Sequence, residues 1–400
     1  MSIENRHDPK STFIGITAKR SHEINAQRPY TQYGSWLAET SGILGCPVDC
    51  KYCFFQVDGL TPVKPKMGLS PEEIVDKLKD QPTYSPTMPV HFGSKTDAFS
   101  TKLTVEYYTQ VLQCYGESEY KNPLVFITKK SIPDEFMDLS SKVKQSVLFY
   151  LSLSGLCGTA IEPNVSADVI KENFVRLRAK GLRAIHYWRP FLPQNSRQKD
   201  FPEMLDFVTK YATCSVLTGL RMSDGIRSNM ISFWPELEKS MADIGTSGEF
   251  WPAGVRSHLI AYVQKRYALY PIFLGNTVCS VAYALGKADI AGHYNEPVCR
   301  ESNCPQRALC GQHHHIPTWQ TVKKVATAMR LNANDMTLLQ SHISIKGAVA
   351  SEKITFMRHA LRFPVISDVV DYSTGYNWAN VATKEEHRII EVPWKDSWVS

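Results

Sequence analysis

The sequence predicts an α/β fold in which about six strand–helix units form a partial, TIM-like (βα)6 barrel, followed by a cysteine-bearing, mainly helical extension. Short apolar runs alternate with segments of helical periodicity between residues 36 and 230. Several of these runs are continuously apolar, as expected for parallel strands that are covered on both faces. Parallel strands joined by right-handed crossovers bind ligands at the carboxyl ends of the strands.

The first predicted strand, at residues 37–44, leads directly into a cysteine-rich loop. The next helix has clear start signals, because Ser70 can act as N-cap, Pro71 suits the first turn and Glu73 can complete a capping box. We expect this helix to end near Asp80. The remaining strands are predicted at residues 89–93, 124–127, 147–153, 182–188 and 215–220, and the main helices at 105–115, 166–180 and 207–211.

Three regions flank the predicted barrel domain of residues 36–230. Residues 1–35 are polar and aperiodic, which predicts an N-terminal arm. Residues 231–315 are expected to hold a second metal centre, and residues 316–400 to cap the barrel. In the cap, helices are predicted at 318–331 and 335–341, and packing is favoured over a helix-turn-helix because nothing marks a recognition helix. The tail has aromatic residues that could cover the site or stack a base, with core packing as the default: Tyr372, Tyr376, Trp378, Trp394 and Trp398.

Composition is that of a globular protein, since 43% of the 400 residues are hydrophobic and 21% are charged. A net charge of +6 and a pI near 8.7 suit an anionic substrate but not a protein that coats nucleic acid. We find no signal-peptide pattern and no apolar run of the ~18 residues that a membrane span needs. We therefore expect a cytoplasmic protein without a membrane partner, in which clustered cysteines bind metal rather than form disulfides.

The most informative motif is the loop with Cys46, Cys50 and Cys53. Three thiolates spaced in this way can hold three corners of a [4Fe-4S] cluster and leave the fourth iron open to an external ligand. A structural zinc loop is the alternative, but zinc prefers four protein ligands and no fourth ligand lies nearby in the sequence.

This loop, followed by Phe54, resembles the signature of the radical S-adenosylmethionine (SAM) superfamily, and the resemblance extends over about residues 37–230. It implies that the open iron chelates the amino and carboxylate groups of SAM. It also implies that an electron from the cluster cleaves the sulfonium and that the resulting 5′-deoxyadenosyl radical abstracts a hydrogen from the substrate. Such an enzyme needs an external electron donor such as flavodoxin or ferredoxin.

Four segments are similar to the spore photoproduct lyase-like branch of the superfamily: the cysteine loop at 45–56, the second-strand motif at 93–97, and the ends of the third and fourth strands at 127–131 and 151–154. The resemblance implies that Gly93 and Ser94 hold the SAM ammonium and that Lys129 pairs with its carboxylate. The remaining candidates for cofactor binding are Tyr52 against the adenine, Ser152 and Ser154 on the ribose, and Asp97 and Arg189, with Glu162 also facing the site. Each could instead be an ordinary loop charge, helix cap or turn residue.

The hydrogen donor of that branch is missing here. In the DNA-repair lyase a cysteine near the second-strand motif returns a hydrogen to the product radical, whereas residues 91–100 contain no cysteine. Photolesion repair is therefore not expected. Among the isolated cysteines Cys114, Cys157 and Cys214, whose default is a small buried hydrophobe, Cys157 follows the fourth strand and is the candidate catalytic hydrogen donor.

A second metal site is predicted past the barrel, where four cysteines have the spacing C-x19-C-x4-C-x5-C: Cys279, Cys299, Cys304 and Cys310. Four thiolates close a coordination shell, so the site could be structural zinc or a second cluster. We favour a second [4Fe-4S] cluster, because the spacing is irregular for zinc knuckles and auxiliary clusters are frequent in the superfamily. His293 or one of His313–His315 could replace a thiolate, and relay, substrate ligation and sulfur donation remain open as roles.

The favoured function is a radical SAM enzyme that acts on a small nucleoside-like or amino-acid-like molecule in a biosynthetic pathway, because basic residues are dispersed along the sequence. A nucleic-acid modification or repair enzyme is one alternative. The other is a non-catalytic nucleic-acid-binding protein with two zinc sites. Thiolate-to-iron absorption and SAM cleavage separate the enzymes from the zinc protein.

Overall fold

A computed structural model of the protein describes residues 29–33, 36–57, 59, 63–81, 84–244, 248–274, 277–301, 304–371 and 389–394. Most of the predicted N-terminal arm lies outside these residues, as do Tyr372, Tyr376, Trp378 and Trp398 of the aromatic tail.

The strands in the described residues are β1 (Tyr30–Tyr33), β2 (Trp36–Glu39), β3 (Ile43–Leu44), β4 (Lys66–Met67), β5 (Val90–Phe92), β6 (Leu124–Thr128), β7 (Val147–Leu151), β8 (Arg183–Phe191), β9 (Ser215–Arg221), β10 (Glu249–Pro252), β11 (Ile272–Leu274), β12 (Met336–Leu338), β13 (Ile343–Ala350), β14 (Val365–Asp371) and β15 (Ile389–Val392).

The α-helices there are α1 (Phe54–Val57), α2 (Pro71–Asp76), α3 (Lys102–Glu117), α4 (Asp134–Lys142), α5 (Ala167–Ala179), α6 (Phe201–Tyr211), α7 (Asp224–Met230), α8 (Leu237–Ile244), α9 (Val255–Arg266), α10 (Thr277–Ala284), α11 (Glu296–Glu301), α12 (Arg307–Gln312), α13 (Trp319–Ala328) and α14 (Ser351–Leu361). Short 3₁₀ turns occur at Pro193–Asn195, Gln198–Asp200 and Ala333–Asp335. In the described part of the chain, no helix combines the length and apolar character that crossing a bilayer requires.

The main sheet is built on six parallel strands that neighbour one another in chain order: β2, β5, β6, β7, β8 and β9. This arrangement agrees with the predicted succession of strand–helix units. β1 pairs antiparallel with β2, β10 pairs antiparallel with β9, and β15 lies parallel to β10. β11 pairs parallel with β9. Because neighbouring parallel strands point the same way, their carboxyl ends meet along one edge of the sheet.

The two faces of the sheet are packed differently. On β7, Phe149 and Leu151 point into the large cluster beneath the flanking helices, whereas Tyr150 faces the opposite side toward α10. There the rings of Trp36 and Tyr150 lie 5.8 Å apart, although two strands separate β2 from β7. Strands three places apart in a flat sheet would be separated by about 14 Å. The face that carries Trp36 and Tyr150 is therefore concave.

The predicted start of α2 is confirmed. Ser70 accepts a hydrogen bond from the backbone of Glu73 at 3.2 Å, and the Glu73 carboxylate accepts one from the backbone of Ser70 at 2.8 Å. The helix ends at Asp76, and turns rather than helix continue to Asp80. The cap fixes the start because it satisfies orphan N–H groups, and no comparable signal marks the end.

The prediction of a helix at 335–341 is wrong. Met336–Leu338 form β12, which pairs with β13. β13 also pairs in parallel with β14, and α14 connects these two strands. The extension is therefore of mixed α/β structure in this part rather than mainly helical. Met336 is buried and Thr337 is exposed, which is the two-residue alternation of a strand. A segment this short does not distinguish that alternation from helical periodicity in the sequence. Within the predicted cap region, β15 joins the main sheet.

Candidate functional site

The carboxyl edge of the parallel strands gathers most of the residues predicted to bind the cofactor. The cysteine loop follows β2, Gly93 and Ser94 follow β5, and Lys129 follows β6. Ser152 comes directly after β7, and Arg189 lies near the end of β8. They share this edge because the strands are parallel and adjacent, not because the residues are close in sequence.

The three thiols of the cysteine loop are close enough to influence one another. Cys50 is buried, and Cys46 and Cys53 are partly exposed. Desolvation, reinforced by the Asp97 carboxylate, raises the pKa of the Cys46 thiol to about 12. Desolvation also raises the pKa of Cys50 to about 12, and the neighbouring Lys129 cation opposes that shift. Cation binding at these thiols must therefore displace protons.

The donor set of the loop fits an iron–sulfur cluster. Backbone N–H groups of Val48 and Asp97 point at the Cys46 sulfur, and those of Gln56 and Phe55 point at the Cys53 sulfur. Such donors stabilise thiolates and tune clusters. Among the described residues, no group of three or more Cys, His, Asp or Glu side chains is arranged to hold a single metal ion. A four-iron cluster makes a different demand, because each thiolate binds its own iron.

A buried ion pair lies beside the cysteine loop. The Lys129 ammonium is 2.9 Å from the Glu162 carboxylate, and Glu162 is fully buried. The Tyr52 hydroxyl donates to the same carboxylate, and the Ser154 hydroxyl donates to its other oxygen at 2.8 Å. Burial opposes the charge on Lys129, but Glu162 and then Cys50 outweigh it and raise the pKa of the ammonium. The ammonium also lies over the Tyr52 ring, 5.8 Å from its centroid.

Cys157 is placed at this ion pair. It forms an isolated parallel bridge with Glu162, and its pKa is raised by desolvation and by the Glu162 carboxylate, with Lys129 acting in the opposite sense. Of the other isolated cysteines, Cys214 is fully buried in the core and the Cys114 sulfur lies 3.9 Å from the Glu72 carboxylate, near the protein surface.

The carboxylate of Asp97 accepts hydrogen bonds from three protein groups. Its carboxylate accepts hydrogen bonds from the Thr128 hydroxyl at 2.7 Å, from the Phe99 backbone at 3.0 Å and from the Lys129 backbone at 2.7 Å. Because Asp97 also directs its own N–H at Cys46, it ties the cysteine loop to the strand end that carries Lys129. The role of Asp97 in cofactor binding stays a prediction.

Glu39 is a site residue that sequence reasoning missed. It ends β2, is buried, and accepts hydrogen bonds from the Gly93 backbone at 3.3 Å and from the Tyr108 hydroxyl at 3.0 Å. Its backbone carbonyl accepts from the Ser94 hydroxyl. Gly93 has a φ of 78°, which favours glycine. The available signal was an acidic residue that ends an apolar strand just before the cysteine loop.

Arg189 reaches the site from the concave face. Its guanidinium lies 4.7 Å from the centroid of the Tyr187 ring and donates to the Tyr187 hydroxyl. Burial works against its charge, yet Tyr187 and Tyr52 keep the pKa of Arg189 raised. Its charge in turn lowers the pKa of Cys53, against the larger effect of desolvation.

Cys279, Cys299 and Cys310 of the second cysteine group lie on α10, α11 and α12, and Cys304 lies between α11 and α12. Cys299 and Cys304 share a side-chain hydrogen bond, which raises the pKa of Cys299 and lowers the pKa of Cys304 to about 7. Cys279 acts electrostatically on Cys299, and Cys304 on Cys310. These influences run pairwise from Cys279 to Cys310, and no three of the four thiols form a group that could hold a single metal ion among the described residues.

The nearby histidines make other contacts. The ring of His314 stacks on Phe363 at 5.1 Å and lies 4.9 Å from Tyr294. His313 is exposed and His293 partly buried. Their predicted role as substitutes for a thiolate stays a prediction.

No protein-family model matches the sequence, and no curated protein matches it either. Solved structures give weak similarity. Spore photoproduct lyase complexed with dinucleoside spore photoproduct is 12% identical over 68% of this chain and 87% of that chain, with a TM-score of 0.46. Streptococcus suis SuiB is 12% identical in its complex with precursor peptide SuiA, over 72% of this chain and 60% of that one, with a TM-score of 0.41. SuiB bound to S-adenosylmethionine has a TM-score of 0.36 at 12% identity, over 64% and 50%. We base the assignment of function on the residues of this chain.

Proposed function

We propose that this protein is a radical SAM enzyme whose catalytic domain is a partial (βα)6 barrel and whose substrate is a small nucleoside-like or amino-acid-like molecule. The observation that supports this best is the position of Cys46, Cys50 and Cys53. They lie at the carboxyl edge of six parallel strands, beside the buried pair of Lys129 and Glu162. When bound, a [4Fe-4S] cluster at the three thiolates supplies the electron that cleaves SAM, and the adenosyl radical removes a hydrogen from the substrate.

The protein's part is to bind and orient SAM. Lys129 has three N–H donors, of which Glu162 takes one and the Ser152 carbonyl, at 3.5 Å, a second. The third is left for the carboxylate of SAM. Backbone carbonyls near Gly93 and Ser94 suit its ammonium, and Ser152 and Tyr52 suit its ribose and adenine. Ser154 acts through Glu162, because its hydroxyl is already bonded to that carboxylate.

The site also excludes water, as radical chemistry requires. Glu162 is fully buried and the Lys129 side chain is 13% exposed, so little water reaches the ion pair. Cys157 lies at the same pair, where it can return a hydrogen to a product radical.

We assign a second [4Fe-4S] cluster, rather than zinc, to Cys279, Cys299, Cys304 and Cys310. The low pKa of Cys304 supports metal binding, because a thiolate is the ligand form. We place the enzyme in the cytosol, with a flavodoxin or ferredoxin as electron donor.

Anaerobic reconstitution with iron and sulfide tests the proposal. We expect about eight irons in the wild type and about four in the Cys46/Cys50/Cys53→Ala variant. A SAM-dependent electron paramagnetic resonance signal should be present in the wild type and lost in the variant. Absence of iron from the wild type after reconstitution would refute the proposal and leave a zinc-binding protein.

A further inference from the structure

Five side chains form a continuous series of contacts on the concave face, beneath the cysteine loop. The His91 ring lies 5.2 Å from Trp36, Trp36 lies 5.8 Å from Tyr150, and Tyr150 lies 5.4 Å from Tyr187. Arg189 completes the series at 4.7 Å from the Tyr187 centroid. The series joins β2 and β5 to β7 and β8, and the charge of Arg189 at one end acts on the His91 ring at the other.

The charge of Arg189 has no carboxylate partner among the described residues, where no ion pair includes it. The other cation at this edge, Lys129, is paired with Glu162 at 2.9 Å. Glu249 influences Arg189 electrostatically, but its carboxylate accepts from the Gly219 backbone at 2.7 Å and from the Trp251 indole at 2.6 Å. A partly buried cation that donates to a phenol and has no ion pair among the described residues is costly unless an anion binds to it.

His91 presents a second unused polar group. It is 7% exposed, and its Nε2 has no hydrogen-bond partner in the described part of the chain. Burial, with Arg189 adding to it, lowers the pKa of His91 to about 3, so the ring is neutral. A neutral imidazole can donate one N–H to an anion, and leaving that group unbonded costs free energy.

We propose that Arg189 and His91 form a binding site for an anionic group of the substrate, a carboxylate or a phosphate. This inference rests on the proposed function, because it concerns the substrate of the same site. The planar guanidinium matches either anion with two parallel N–H donors. Its place beside Cys53 and Tyr52 holds the rest of the substrate near the position where SAM would bind.

Chemical modification of arginine tests the site without relying on turnover. Full-length reconstituted protein is treated with phenylglyoxal, and mass spectrometry follows modification of Arg189 and of Arg183, which is exposed on the same strand. The additions are inorganic phosphate, acetate and the uncharged analogue acetamide, each with and without SAM. At about ten times its dissociation constant, an anion leaves about a tenth of the sites free, so Arg189 should react about tenfold more slowly. Arg183 should react at the same rate throughout, and acetamide should protect neither residue.

The comparison of phosphate with acetate identifies which anion the site prefers. His91→Phe keeps a ring but removes Nε2, and we expect it to raise the anion concentration needed for protection on the order of fivefold. Equal modification of Arg189 with and without anions would overturn the proposal, as would failure of Arg189 to react at all. Full protection by SAM alone would also overturn it, because the cation would then belong to the cofactor. Iron content and SAM cleavage are measured on the same samples, so protection without SAM cleavage would refute the proposed function and leave the anion site standing.

Discussion

The two cysteine groups occupy contrasting surroundings. The group of Cys46, Cys50 and Cys53 lies in a loop at the carboxyl edge of the sheet, next to the buried charges of Lys129 and Glu162. The second group lies on three helices and the connection between two of them, and Cys279 and Cys304 pack against the apolar cluster that covers the concave face.

The charged surroundings of the first group suit it to bind a ligand. Buried charges beside the first group are costly to the fold, and such costs are usual at functional sites. Both groups also contact apolar clusters. The half-buried carboxylate beside the second group, that of Asp289, is bonded to backbone N–H groups of its own loop and belongs to no described ion pair. We therefore expect SAM chemistry to depend on the first group, and local stability or electron relay to depend on the second.

The strongest test replaces each group separately. Alanine at Cys279, Cys299, Cys304 and Cys310 should remove about four irons yet leave SAM cleavage detectable, whereas alanine at the first three cysteines should abolish cleavage. Iron counting and 5′-deoxyadenosine formation measure both effects, and Cys114→Ala serves as the control. Loss of cleavage in the four-cysteine variant would show that the contrast between the groups is wrong.

The ion pair beside the first group gives the next largest effect. Glu162→Gln leaves Lys129 buried without its counter-charge, so we expect the free energy of unfolding to fall by about 3–5 kcal/mol. SAM binding, measured by equilibrium dialysis, should weaken as well. Glu203→Gln removes the partner of Lys171 in a pair where Glu203 is 82% exposed, and it should cost about 0–1 kcal/mol. Similar losses of unfolding free energy in the two variants would mean that the buried ion pair stabilises the fold no more than an exposed pair does.

The sequence predicted the strands and the position of the first cysteine group at their carboxyl ends because those signals are local. Apolar runs identified the parallel strands, and the spacing of Cys46, Cys50 and Cys53 identified the loop. The partners of Glu162 could not be predicted, because Tyr52 is 110 residues away and only the closing of the fold brings them together. Glu39 and His91 were missed for the same reason, since their importance comes from burial in the fold, which the sequence does not show.

Low pH should lower the stability of the fold near the first cysteine group through protonation of His186. The ring is fully buried, with Nδ1 2.8 Å from the Ser215 hydroxyl and Nε2 2.9 Å from the Leu153 carbonyl, between Ser152 and Ser154. Desolvation lowers the pKa of His186 from 6.5 to about 4. Between these values the unfolded chain binds a proton that the folded chain does not, so stability falls as the pH decreases.

For this one group, the loss between pH 7 and pH 5 is about 2 kcal/mol. His186→Gln should remove that part of the pH dependence in urea unfolding, whereas the exposed His313→Gln should leave it unchanged. An unaltered pH slope in His186→Gln would contradict the assignment.

The smallest effect is expected in the second region, at Asp289. Its carboxylate accepts from the Ala291 backbone at 2.9 Å and the Tyr294 backbone at 2.7 Å, and so shapes the loop between α10 and α11. Asp289→Ala removes both acceptors and should lower stability by about 1–2 kcal/mol, while Asp335→Ala, at an exposed turn, should change little. If the second group is structurally separate from the first, Asp289→Ala should weaken iron binding at the second group and leave the SAM-dependent electron paramagnetic resonance signal intact. Loss of the SAM-dependent signal would instead couple the two groups, and the second would then have to be counted as part of the catalytic machinery.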